Sequence, residues 1–320
     1  MTSTSSVTST IKAILSAASL VTFIAVGSGC ATTMTGSSVP SISPTLTAAM
    51  PSIDRQGRIA YVEEQGQGTN KISTLYTIRP DGSERTLLTS VNGFIYGPTW
   101  SADGSKLAYS VQQTGNYPYI YVLDIASKTV VKAVDAAGIN LSPSFSPDGS
   151  KLLYSSSAGG NADIYELTLS SGKTRQLTTL PSIEIQPSYS PDGASFVYVS
   201  DKSGSNKPQL YRYDFASGKT SRIATSGYAT GPQMSMDGTK LGYLNGRQAA
   251  VMTLATGQVM NLGETGVDEP ARLSPSGQYA VYPTRNSQGG SLVIRSLNGA
   301  ASYTISSKSG ALVRAPVWGR

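Results

Sequence analysis

The sequence has 320 residues, enough for one large or two modest domains, and only 14% of them are charged. It holds 33 Gly, 17 Pro and 18 Tyr against five Phe and two Trp. That profile predicts an all-β fold, because Tyr favours half-buried pleated surfaces while Gly and Pro punctuate turns. There is no His and one Cys, which excludes a Ser-His-Asp or Cys-His catalytic arrangement, a His-ligated metal centre and an intrachain disulfide. The net charge of +6 is scattered, with no basic run interleaved with aromatics, so nothing points to nucleic acid.

In chain order, the first element is a leader. Lys12 is the only charged side chain before Asp54, and residues 13–26 form an apolar run. That length suits a secretory signal and is short for a bilayer span. The run ends in Gly27-Ser28-Gly29-Cys30, which resembles a bacterial lipobox with Cys30 as the acylated first residue of the mature protein. It departs from the usual pattern in carrying Gly27 where Leu is common, and a plain secretory signal is the other reading. Residues 30–50 are uncharged and rich in Ser, Thr and Pro, so they read as a tether.

From residue 51 to 320 the chain repeats. The clearest copies run from Pro98 to Tyr109, Ser142 to Tyr154, Gln186 to Tyr198 and Gly231 to Tyr243, with looser ones at Pro51–Tyr61 and Glu269–Tyr282. Their turn glycines are Gly57, Gly104, Gly149, Gly193, Gly238 and Gly277, spaced by 47, 45, 44, 45 and 39 residues. Each copy has a strand ending in a large apolar residue, a Ser-Pro-Asp-Gly type turn, a strand carrying Tyr, and two further strands. Four antiparallel strands per copy and six copies predict a six-bladed β-propeller. The last residues, Ala315-Pro316-Val317-Trp318, repeat the pattern of Gly97-Pro98-Thr99-Trp100. The carboxyl-terminal strand is therefore expected to close the ring, displacing or flanking the segment at Pro51.

These Ser-Pro-Asp-Gly units, followed by Ile-Tyr-x-Leu and Ser-Gly-Lys strands, resemble the repeats of the TolB propeller family over residues 51–320. The resemblance implies a lone propeller without the family's leading α/β domain. It implies a non-catalytic envelope lipoprotein, lipid-anchored on the periplasmic side of the outer membrane or at the cell surface. The partner it implies is an envelope protein or peptide, such as the peptidoglycan-associated lipoprotein. No cofactor and no metal are implied, and a monomeric propeller is expected. A glycan- or small-ligand-binding propeller is the alternative, with a lyase working without His further behind.

The turn residues Asp103 and Gly104, Asp148 and Gly149, Asp192 and Gly193, and Asp237 and Gly238 read as structural. Asp accepts from the backbone and Gly takes the positive φ of a tight turn. Binding chemistry is expected where the repeat breaks down, just before each strand-entry Pro. There the candidates are Tyr96, Asn140, Glu184, Gln186, Asp268, Glu269 and Arg314. A second loop set adds Tyr117, Arg247 and Arg285. Tyr and Arg are effective anchors for a protein or peptide ligand.

Overall fold

The computed structural model describes residues 44–45, 57–204, 207–299, 301–307 and 309–320. The leader, Cys30 and residues 51–54 fall outside these. β1 (Pro44–Thr45) precedes the repeats, followed by β2 (Arg58–Gln65), β3 (Ile72–Ile78) and the long β4 (Thr86–Trp100). Next come β5 (Lys106–Gln113), β6 (Tyr119–Asp124) and β7 (Val130–Val134). One set comprises β8 (Asn140–Phe145), β9 (Lys151–Ser156), β10 (Asp163–Thr168) and β11 (Thr174–Gln176). The next comprises β12 (Glu184–Tyr189), β13 (Ser195–Ser200), β14 (Gln209–Asp214) and β15 (Thr220–Arg222). It is followed by β16 (Ala229–Met234), β17 (Lys240–Asn245), β18 (Gln248–Thr253) and β19 (Val259–Glu264). The chain ends with β20 (Arg272–Leu273), β21 (Tyr279–Asn286), β22 (Gly289–Ser296), β23 (Ser302–Ser306) and β24 (Leu312–Gly319).

The sheets follow the repeat. β8–β11, β12–β15 and β16–β19 are each a four-stranded antiparallel meander. β20–β23 form another, extended at its outer edge by β1, which pairs Pro44 with Ile305 and Thr45 with Thr304. Part of the predicted tether is thus an edge strand. A seven-stranded sheet completes the set in the order β24-β2-β3-β4-β5-β6-β7. In it β4 serves twice, its first half pairing with β3 and its second, from Gly93 to Trp100, with β5. β24 lies against β2, with Arg58 opposite Gly319 and Ile59 opposite Trp318. The carboxyl-terminal strand therefore takes the inner place beside the first repeat.

The core explains the repeated Tyr. Tyr61, Tyr109, Tyr154 and Tyr198 are buried, and each stacks on the Tyr directly across the ladder: Tyr76, Tyr121, Tyr165 and Tyr211. Ring centroids lie 5.7–6.2 Å apart, the separation at which offset aromatic pairs attract. Tyr243 and Tyr282 are equally buried but face Ala250 and Val293. Truncating such a ring to Ala typically costs about 3–5 kcal/mol.

The turns satisfy themselves. Ser146 Oγ donates to Asp148 Oδ1 at 2.5 Å and accepts from Lys151 N at 2.9 Å, while Asp148 Oδ1 also accepts from Ser150 N at 3.0 Å. The same bonds recur around Asp103, Asp192 and Asp237. Gly149 holds φ at +69°, a region a side chain would strain. These bonds hold the Asp103, Asp148 and Asp237 carboxyls down at about 2, with the Ser hydroxyl the largest cause. In the β20–β21 turn Ser276 replaces Asp, and Ser274 Oγ to Ser276 Oγ lengthens to 3.1 Å.

Candidate functional site

The site is built by proline. An X-Pro step inside an inner strand cannot supply a ladder N–H, so the register must break there. It breaks between Tyr96 and Thr99, Leu141 and Ser144, Ile185 and Ser188, and Thr230 and Gln233, and again where β24 passes β2. In β4, β8, β12, β16 and β24 the residue before the Pro takes a left-handed backbone: Gly97 at +49°, Ser142 at +56°, Gln186 at +54°, Gly231 at +61° and Ala315 at +48°. For Ser142, Gln186 and Ala315 this is a strained choice, worth about 1–3 kcal/mol each. Gly231 has no alternative, since a Cβ there would sit 2.6 Å from Pro270 Cγ.

Side chains on one inner strand fasten the next. Gln186 Oε1 accepts from Gly231 N at 2.8 Å, and Gln233 Oε1 from Leu273 N at 3.2 Å. Ser144 Oγ accepts from Tyr189 N at 3.1 Å, and Trp100 Nε1 donates to Val317 O at 3.3 Å. Glu269 holds β24 through both oxygens: Oε1 accepts from Arg314 Nε at 2.8 Å and Oε2 from Ala315 N. Arg314 also faces Glu64, which is paired to Lys71 at 2.8 Å. Burial opposes the charge on Arg314, but Glu269 and Glu64 outweigh it and hold its pKa above the usual value.

Between these strands lies a cavity of about 180 Å³, walled by residues of β4, β8, β12, β16, the Asp268–Arg272 stretch and β24. Among the sequence candidates, Tyr96, Gln186, Asp268, Glu269 and Arg314 line it. Tyr96 stacks on Phe94 and donates to Gln112 Oε1 at 3.1 Å; burial raises its pKa, with Glu64 adding to the effect. Tyr117, Arg247 and Arg285 are exposed and stand outside the cavity.

Asn140 and Glu184 do not line the cavity; both are fully buried behind it. Asn140 Nδ2 donates to the carbonyls of Pro118, Ala136 and Gly138, and its Oδ1 accepts from Ser156, which closes a loop rather than offering a surface. Glu184 Oε1 accepts from Ser182 and Ser200, and the carboxyl of Asp163 lies close enough to act on its charge. Burial, then the neighbouring Asp163, push Glu184 up to about 7. The reason both miss the cavity is the bulge: these residues lie before the positive-φ step, where side-chain alternation has not yet been reset.

Tyr228, Gln233 and Arg272, together with Thr99, Ser144 and Ser188, line the cavity but escaped sequence reasoning. Gln233 and Arg272 stand two residues before the strand-ending Ser235 and one before Leu273 respectively, positions held elsewhere by Thr99, Ser144 and Ser188. Counting back from the turn rather than from the Pro would have found Arg272. Among the described residues no cluster of carboxylates or Cys is arranged to hold a metal ion.

Antiparallel four-stranded sets around a common cavity, with contacts running from each inner strand to the next and from β24 back to β4, define a β-propeller class of protein. The sequence profile of the TolB beta propeller domain matches residues 52–320, and the chain belongs to that family. It is 30% identical over 253 residues to the Tol-Pal system protein TolB of Francisella tularensis, covering 74% of this chain and 57% of that protein. The chain thus spans little more than half the length of such curated relatives. A shorter match to the Dinoroseobacter shibae TolB is 39% identical over 127 residues, 39% of this chain and 28% of that one. Among solved structures, TolB from Acinetobacter baumannii superposes with a TM-score of 0.75 at 33% identity, over 83% of this chain and 67% of that one.

Proposed function

We propose that this chain is an exported envelope protein whose six blades, sealed into a ring by β24, receive a segment of a partner protein in the axial cavity without catalysing a reaction. The observation that carries this reading is where the repeat fails. The turns are near-identical from copy to copy, and the strand-entry prolines and Ser144 and Ser188 of the lining also recur, whereas Tyr96, Gln186, Asp268, Glu269, Arg272 and Arg314 stand among them with no two alike at matching positions. A purely structural lining would be held to the repeat as the turns are. The ring itself is supported by the unbroken sequence of inner-strand contacts and by the β24–β2 ladder.

A rigid cavity loses little conformational freedom on binding, which favours capture of an extended segment. Its volume of about 180 Å³ falls below the roughly 300–1,000 Å³ of ordinary small-molecule sites. One inserted side chain fits better than an oligosaccharide. The relatives carry the name of the Tol-Pal system, which supports an envelope partner of the peptidoglycan-associated lipoprotein kind. Residues 1–30 support export and a lipid anchor at Cys30 on the periplasmic side of the outer membrane or at the cell surface.

Ser188 lines the cavity and its hydroxyl bonds to no other described residue, so Ser188→Trp plugs the site without cutting a network. The expected result is loss of the protein species that wild type retains from envelope extract. Retention of the same species by the plugged variant overturns the axial reading.

A further inference from the structure

Arg272 is the one cavity-lining cation without an ion pair among the described residues. Arg314 is saturated by Glu269 and faces Glu64. Among the described residues Arg272 makes a single hydrogen bond, Nη1 to Gly231 O at 3.0 Å, so that four of its five N–H donors meet no described acceptor. Glu269 lies near enough to favour its charge, yet both Glu269 oxygens are committed to β24. Burial dominates instead and pushes the guanidinium down to about 10. Only part of the side chain is covered, and the remainder faces the cavity.

A desolvated guanidinium is a costly group to leave unmatched, and a planar carboxylate is its best geometric complement. The cavity also offers uncommitted hydroxyls. Those of Thr99 on β4 and Ser188 on β12, at places equivalent to that of Arg272 on strands that are not its direct neighbours, line the same cavity and bond to no other described residue. Asp268, the remaining lining carboxylate, sits four residues earlier, beside Tyr228, whose pKa burial and Asp268 together raise.

We propose that Arg272 is the anchor for a carboxylate side chain, Asp or Glu, of the partner segment that enters the axial cavity. This rests on the peptide-binding reading of that cavity and names the chemistry the segment must carry. Arg and not Lys is suited to the place, because a fork can bind both carboxylate oxygens while still holding Gly231 O.

The test uses fluorescein-labelled octapeptides with one central Glu, the same peptides with Gln, and free succinate as competitor, read by fluorescence polarisation on the whole protein. Glu peptides should bind wild type at least about tenfold more tightly than their Gln counterparts. The preference should vanish in Arg272→Gln and persist in part in Arg272→Lys. Thermal unfolding without peptide should be unchanged or raised in Arg272→Gln, since an unmatched buried charge is removed; a marked fall assigns the residue a structural role and overturns the proposal. Equal binding of the two peptide sets, absence of binding by either, a preference that survives Arg272→Gln, or succinate binding as tightly as the peptides would each overturn it too. The axial reading is judged apart. If Ser188→Trp abolishes partner capture while Arg272→Gln leaves it intact, the cavity remains the site and only the carboxylate anchor falls.

Discussion

The two ends of the inner strands have opposite characters. At the turn end, Ser, Asp and Gly recur, and each hydroxyl and carboxylate is bonded within five residues of itself. In the cavity stretch of the same strands, the bonds run 40 to 46 residues to the next copy, and several donors bond to no other described residue. Local satisfaction can be copied from unit to unit because it does not depend on the neighbour. A bond across the seam depends on what the neighbour presents, so each seam was solved differently. The difference teaches where to look for recognition in a repeat protein: not at what recurs, but where long-range bonds leave capacity over.

The strongest way to break the contrast is to remove the strand that both ends need. Deleting residues 312–320 takes away Val313, Val317 and Trp318, all buried, together with the Glu269 contacts. Thermal unfolding should fall by about 10 °C or more, with loss of a single cooperative transition. An unchanged melting curve would show that β24 is ornamental.

The next effect concerns the buried Glu184–Asp163 pair behind the cavity. Glu184 is raised to about 7 from 4.5, so the folded state keeps a proton that the unfolded chain has already released. Its contribution is complete below 4.5 and is lost as pH rises through about 7. Wild type should therefore melt at progressively lower temperature from pH 4.5 to 8, over a range of ~3–4 kcal/mol at most. Glu184→Gln should flatten that slope; an identical slope in the variant would reject the assignment. The turn aspartates act with the opposite sign, their contribution being lost as pH falls from 3.8 towards about 2.

A paired comparison at one residue type sharpens the contrast directly. Ser146→Ala strips the β8–β9 turn of a carboxylate partner and of the acceptor for Lys151 N, and should cost about 1–2 kcal/mol. Ser188→Ala, in the cavity-lining stretch of β12, should change stability by less than ~0.5 kcal/mol. Equal losses in urea unfolding would erase the distinction between the two ends.

Much of the fold was legible because it rests on local chemistry. Ser-Pro-Asp-Gly prescribes its turn wherever it occurs, Tyr at matching positions prescribes stacking, and Trp318 announces its equivalence to Trp100. The cavity was half legible. Proline pointed to the inner strands and so to Tyr96, Gln186, Glu269 and Arg314, but not to which side chains before the X-Pro step face away from the cavity. The bulge there turns Asn140 and Glu184 inwards to their own loops. Arg272 was hidden for a related reason: in its copy the positive φ falls on Asp268, with Glu269 intervening before Pro270. The shortened spacing of 39 residues before Gly277 was the available sign that this copy differs.

The pairing of Arg58 with Gly319 also determines how the molecule bears force. The two residues face each other at one end of an antiparallel ladder, so tension applied through them opens the β2–β24 seam like a zipper, loading one rung at a time. Tension arriving from upstream meets a different fastening first: the two rungs that tie Pro44 and Thr45 to β23. Those rungs lie on an outer edge and can yield without disturbing any inner strand. They act as a mechanical fuse placed ahead of the seam.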